Sequence, residues 1–201
     1  MKKLIIIGKI LIILSLAMFM SFFIYNYYQN NKEIEMIDNY IEETKIIEEQ
    51  IDVQEQEVIE EKQEQKINYT AVLEIPSINL KRGVVDSTKN FNSINYAISV
   101  DKNSNYPDKE GNFILYAHSG NSSIAYFKNL NKVEIDDEVY VYYKGVKYKY
   151  KIFTKYDIEK TGKAEVLFSN TEKYITLITC NQNRNGYQVI LIGKMFSQSN
   201  Y

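Results

Sequence analysis

From Ile10 to Tyr25 the chain runs sixteen residues without a charge, and Asn26, Tyr27 and Tyr28 extend the uncharged stretch. A helix needs about 20 mostly apolar residues to cross a bilayer core. Residues 10–28 nearly supply them, and Lys9 can snorkel to lengthen the span. Lys2, Lys3 and Lys9 all precede the run, which orients residues 1–9 toward the cytoplasm and the remainder outside. Tyr25, Tyr27 and Tyr28 fit an interfacial aromatic belt. A cleaved signal peptide would need small residues after the run, but Phe22-Phe23-Ile24-Tyr25 stand there. The reading is therefore an uncleaved single-pass anchor with the rest of the chain extracellular.

The next stretch differs in kind. Asn31–Lys66 holds thirteen acidic residues against four lysines, −9 in all, with no Gly and no Pro. Its many helix formers and the spacing of Ile34, Ile37 and Ile41 predict a thin helical stripe. A coiled-coil partner surface would need a broader, unbroken heptad seam. The stripe breaks between Ile51 and Val58, so 29–66 reads as an acidic stalk, helical or partly disordered.

Residues 67–201 carry +4 of a whole-chain charge of −2, which gives no general reason to expect a nucleic-acid partner. Their pattern is mostly β. Thr70–Ile75, Asn112–His118, Glu138–Tyr143, Val146–Asp157, Tyr174–Thr179 and Val189–Ile192 read as strands, the middle two joined as a hairpin at Lys144-Gly145. Ile124, Phe127 and Leu130 predict one short helix over Ser122–Leu130. Lys163–Phe168 reads as a helical turn or a strand. Six to eight strands in this length predict a closed barrel or a sandwich.

Candidate chemistry is confined to few residues. The chain has one Cys and one His, and each ends a strongly apolar strand: Ile114-Leu115-Tyr116-Ala117-His118 and Thr176-Leu177-Ile178-Thr179-Cys180. One Cys makes no internal disulfide, and no Cys-x-x-Cys or His-x₃-His supplies a zinc ligand set. A lone Cys is often just a small buried hydrophobe. At the end of a strand beside the open loop Asn181–Gly186, and with a histidine similarly placed, it fits a nucleophile paired with a base. No metal and no cofactor are expected.

Thr176-Leu177-Ile178-Thr179-Cys180 resembles the Thr-Leu-x-Thr-Cys motif of sortases, the surface-anchoring cysteine transpeptidases of Gram-positive bacteria. Val72–Ile78 resembles the first barrel strand of that family. Gly111–His118 with Ser119-Gly120 resembles its histidine strand, although Ala117 replaces the glycine often found before the histidine. Phe127–Leu130 and Asp136–Tyr140 resemble the helix and strand that follow. The resemblance covers about residues 69–196.

It implies a mainly β fold: a closed eight-stranded barrel with one or two short helices, preceded by a transmembrane helix and a helical stalk. It implies that Cys180 cleaves a Leu-Pro-x-Thr-Gly-like sorting signal of a surface protein through a thioester. An amine of a peptidoglycan precursor or a pilin then takes the acyl group, and His118 moves the protons. The family's arginine, on the strand after the cysteine, is missing: Gln188 occupies that position. The nearest arginine is Arg184, in the loop. Arg184 is accordingly the expected oxyanion donor, with Thr179 and Gln188 expected to contact substrate. The alternatives are a catalytically weak sortase-like binding module and a hydrolytic cysteine protease.

Overall fold

The computed structural model describes residues 2–49, 68–88, 93–161 and 166–201. A single helix, α1 (Lys2–Glu49), carries the apolar run and continues into the acidic stretch without a break. No Pro interrupts it, and its one Gly, Gly8, lies in the second turn. The large apolar side chains from Leu11 to Tyr28 are 55–79% exposed. These 18 residues rise about 27 Å in a helix, against a hydrocarbon thickness of ~30 Å. The helix is long and apolar enough to cross a membrane. The stalk residues 50–66 lie outside the described residues.

The chain divides into two compact units, one ending at Asp38 and one beginning at Asn39. The second unit includes the last turns of α1. There the Tyr40 hydroxyl donates to the Thr70 carbonyl at 2.7 Å, and the Thr44 and Tyr201 hydroxyls lie 2.8 Å apart.

Eight strands build the barrel: β1 (Ala71–Ile75), β2 (Leu80–Asp86), β3 (Ile98–Val100), β4 (Gly111–Tyr116), β5 (Glu138–Tyr143), β6 (Val146–Glu159), β7 (Lys173–Cys180) and β8 (Tyr187–Asn200). They close in the order β1-β2-β3-β4-β7-β8-β6-β5, with β5 pairing back onto β1. Closure removes the unpaired edges an open sheet would expose. Alternation places Val139, Val141 and Tyr143 of β5 and Tyr148, Tyr150 and Ile152 of β6 in the core, with Leu73, Phe113, Leu115, Ile175, Leu177 and Leu191. Outside, the opposite faces of the β5–β6 hairpin meet, and the Lys147 ammonium sits 3.9 Å from the Tyr140 ring centroid.

Two strands lie outside the sequence pattern read above. Leu80–Asp86 contains Lys81, Arg82 and Gly83, and β3 is three residues long. Gly83 is required where it stands, because a Cβ there would lie 2.1 Å from the Tyr69 ring. The expected helix over Ser122–Leu130 is instead a series of tight turns ending in a 3₁₀ turn, Leu130–Lys132. The bonds Ala125 N–H to Ser122 O, Lys128 N–H to Ala125 O and Leu130 N–H to Phe127 O each step back three residues. Apolar residues spaced by three suit that pitch better than 3.6. Phe127 and Leu130 are fully buried beneath the turns. Of Lys163–Phe168, residues 163–165 lie outside the described residues, and 166–168 have no regular structure.

The long ladder between β6 and β8 is irregular at two places. Thr154 pairs with Ile192 and Ile152 with Gly193, so Phe153 is an extra residue on β6; Phe196 is extra on β8 in the same way. An inserted residue reverses which side chains face inward. Before Phe153, Tyr148, Tyr150 and Ile152 point into the core. After it, Thr154, Tyr156, Ile158 and Lys160 share a parity with the outer face.

Candidate active site

Strands β4 and β7 are parallel neighbours, with Tyr116 opposite Ile178. Parallel pairing brings two strand ends to the same side of the barrel, although some sixty residues separate them in the chain. Two residues beyond that pair stand His118, past the end of β4, and Cys180, the last residue of β7. Side chains alternate along β7, so the buried Leu177 faces the core with Leu115 of β4, while Cys180 lies on the opposite face. Cys180 is a free, half-buried thiol.

Several bonds hold this end of the two strands together. The Thr179 hydroxyl donates to the Ala117 carbonyl at 2.8 Å, and the Ser119 hydroxyl donates to the Cys180 carbonyl at 2.7 Å. The Phe127 N–H donates to the His118 carbonyl at 2.9 Å, tying the turn segment to the histidine. Lower down, the buried Asn112 amide donates to Thr176 Oγ1 at 2.8 Å and to the Leu167 carbonyl at 2.9 Å. That contact fastens the segment entering β7 to β4. Expected at the substrate surface, Thr179 is 4% exposed with its hydroxyl committed to Ala117. What it offers the site is the placement of its neighbours.

The loop Asn181–Gly186 is tightly closed. The Asn181 N–H donates to the Tyr187 carbonyl at 2.8 Å, and Asn181 Oδ1 accepts from the Asn183 and Arg184 N–H groups. Gly186, at φ +80°, takes the left-handed turn into β8. Gln182 reaches across to the Lys128 carbonyl at 2.7 Å, joining this loop to the segment after His118.

Gln188 stands directly opposite Cys180 in the β7–β8 ladder. Arg184 is exposed, with its guanidinium carbon 3.3 Å from the centre of the Tyr187 ring. Tyr187 in turn donates to Glu159 Oε1 at 2.9 Å, and that bond raises the phenol pKa above its ordinary value.

One residue that the sequence reading did not single out reaches the thiol. The Lys160 ammonium donates to Cys180 Sγ at 3.6 Å. Lys160 follows β6, and its N–H bonds to the Gly186 carbonyl at 2.8 Å.

Among the described residues no group of three His, Cys, Asp or Glu is arranged to hold a metal. A surface pocket of about 420 Å³ lies between Ile135, Phe153, Tyr174 and Phe196. Tyr174 is six residues from Cys180 along β7, about 20 Å in a strand. That pocket therefore lies away from Cys180.

A family profile described as a sortase domain matches residues 73–195. Comparison with curated proteins returns no match. Solved structures of sortases share the barrel. Sortase A from Corynebacterium diphtheriae, as a lid mutant, superposes with a TM-score of 0.59 at 20% identity, covering 65% of this chain and 71% of that one. Sortase C1 from Streptococcus agalactiae gives 0.59 at 21% identity over 67% of this chain and 71% of that one. A Clostridium perfringens sortase D5 transpeptidase gives 0.59 at 19% identity over 83% and 95%. A closed eight-stranded barrel of this order, together with the matched profile, is that of the cysteine transpeptidases of the sortase kind. The chain belongs to the sortase family.

Proposed function

We propose that this chain is a membrane-anchored transpeptidase in which Cys180 is the nucleophile and His118 the general acid and base. The observation that carries the reading is the parallel pairing of β4 with β7 up to Tyr116 and Ile178, each two residues short of the chain's one histidine and its one cysteine.

The thiol proton passes to His118, and the thiolate attacks the carbonyl carbon of a Thr–Gly bond in a Leu-Pro-x-Thr-Gly-like sorting signal. The C–N bond breaks, His118 protonates the departing amine, and a thioester remains on Cys180. An incoming amine, from a peptidoglycan precursor or a pilin, gives a proton to His118 and attacks the thioester; the thiolate leaves. A thioester conserves acyl energy, so a nucleophile other than water can take the chain.

Negative charge develops on the scissile carbonyl oxygen, and a preorganised donor there is worth about 3–4 kcal/mol. Gln188 faces Cys180 across the ladder and is one donor. Arg184 is the other: its stacking on Tyr187 is worth about 0.5–1 kcal/mol at an exposed site, less than the oxyanion would return. Residues 10–28 anchor the chain, 1–9 lie in the cytoplasm, 29–66 form the stalk, and 67–201 work outside the cell. Protease added to intact cells should remove the barrel, while a soluble chain beginning after Tyr28 would sink the anchor.

The test uses the full chain in detergent micelles with a sorting-peptide library read by mass spectrometry. Wild type should carry a thioester on Cys180 and, given an amine, release a transfer product. Cys180→Ala should abolish both, and His118→Ala should lower turnover by ~10²–10⁴-fold. Turnover near wild type in either variant refutes the assignment. A water adduct alone, with amine present, identifies a protease instead, and no thioester at all identifies a binding module.

A further inference from the structure

We propose that Lys160 is a catalytic residue of this chain, its ammonium facing the Cys180 sulfur and stabilising the negative charge that forms there when the thiol proton leaves. The proposal rests on the reading of Cys180 as nucleophile and deepens it. A thiol at a strand end needs a neighbouring base or cation before much of it is ionised at neutral pH. Lys160 Nζ lies 3.6 Å from Cys180 Sγ.

The sheet fixes that contact. Cys180 pairs with Gln188, and Gln188 with Ile158, so the three side chains form one row across β7, β8 and β6. Lys160, two residues beyond Ile158, stands on the same face one step further on. It does so because Phe153 is an extra residue in β6; without it, the even-numbered residues would continue to face the core. The bond from the Lys160 N–H to the Gly186 carbonyl holds the backbone there.

Among the described residues, Arg184, Asp157 and Glu159 are engaged elsewhere in the structure as it stands. Arg184 lies over Tyr187. Asp157 and Glu159 alternate to the opposite side, where they accept from Asn181 Nδ2 at 2.8 Å and from the Tyr187 hydroxyl at 2.9 Å. Gln188 is neutral.

Lys160 exchanges no proton. The thiol proton goes to His118, leaving sulfur negative beside the Lys160 ammonium. When sulfur bonds to the carbonyl carbon, the negative charge moves to the carbonyl oxygen. The long flexible lysine stem lets the ammonium remain near it.

Because Cys180 is the single cysteine, alkylation of the full chain in micelles reports that sulfur alone. Iodoacetamide is neutral and iodoacetate anionic, and both displace iodide. At one near-neutral pH, Lys160→Met should slow iodoacetamide roughly tenfold, the scale of one lost unit charge near 4 Å. It should slow iodoacetate further, because that reagent also loses its attraction to the cation. Lys160→Arg should keep both rates near wild type. Lys160 is exposed, so thermal melting should be the same in all three chains, which separates charge from folding. Wild-type rates with both reagents in Lys160→Met overturn the proposal, as does an equal loss in Lys160→Met and Lys160→Arg. Failure of the acyl-transfer reading would appear separately, as a wild-type chain that forms no thioester while its alkylation still depends on the charge at 160.

Discussion

Thr179→Val removes one oxygen from the barrel and should disturb both proposed catalytic side chains. The Thr179 hydroxyl donates to the Ala117 carbonyl at 2.8 Å, and both residues are 4% exposed. Each is the immediate neighbour of a proposed catalytic residue. Valine keeps the side-chain volume, so no cavity forms and the cavity term of a core truncation does not arise. What remains is a buried carbonyl that has lost its hydroxyl donor, a cost of about 1–2 kcal/mol. Thr179→Ser is the converse change: it keeps the donor and deletes a methyl group, at about 0.8 kcal/mol. The two variants should therefore be destabilised by similar amounts in urea. They should part in kinetics. Without the bond the strand ends can shift relative to each other, and displacements near 1 Å cost on the order of 10²-fold in rate. Single-turnover acylation should fall on the order of tenfold or more in Thr179→Val and stay near wild type in Thr179→Ser. If Thr179→Val matches wild type in both urea midpoint and acylation rate, the bond neither holds the strands nor positions the site.

Arg184→Ala should lower acylation by on the order of 10²-fold and Gln188→Ala by less, if the arginine leaves Tyr187 for the oxyanion; wild-type acylation in Arg184→Ala with loss in Gln188→Ala would give that role to the strand. Arg184→Lys should recover little, because an ammonium cannot reproduce the guanidinium fork. Tyr150 is fully buried and its hydroxyl has no hydrogen-bond partner among the described residues; burial first, and then the neighbouring Tyr148, drive its pKa upward. Tyr150→Phe should raise the urea midpoint, by a gain of about 1 kcal/mol, and a lower midpoint would mean the hydroxyl is satisfied after all.

Local rules read much of this protein from residues alone. The uncharged run at 10–28 reads as a helix because a membrane span would have to satisfy its own backbone hydrogen bonds, and α1 carries it. Alternation in Glu138–Tyr143 places Val139, Val141 and Tyr143 inside as period two requires. The strands ending in His118 and Cys180 were legible because apolar, β-branched runs are local signals. That β4 and β7 run side by side is a long-range fact, set by parallel pairing of strands separated in the chain by the β5–β6 hairpin. Short or charged strands such as β2 and β3 carry no local pattern and form because a closed barrel supplies partners on both sides. Thr179 illustrates the limit of a motif: its spelling suggests a contact residue, but its parity on β7 buries it.

Lys160 shows the same limit most clearly. The alternation in Val146–Asp157 reads as one uninterrupted strand, and carried forward it turns even-numbered residues toward the core. One extra residue at Phe153, visible only when β6 is paired with β8, inverts the faces and sets an ammonium beside the thiol. Sequence determined the longer, apolar strands and which residues carry reactive groups. Pairing determined which of them meet, because register and bulges are properties of two strands together and no single strand encodes them.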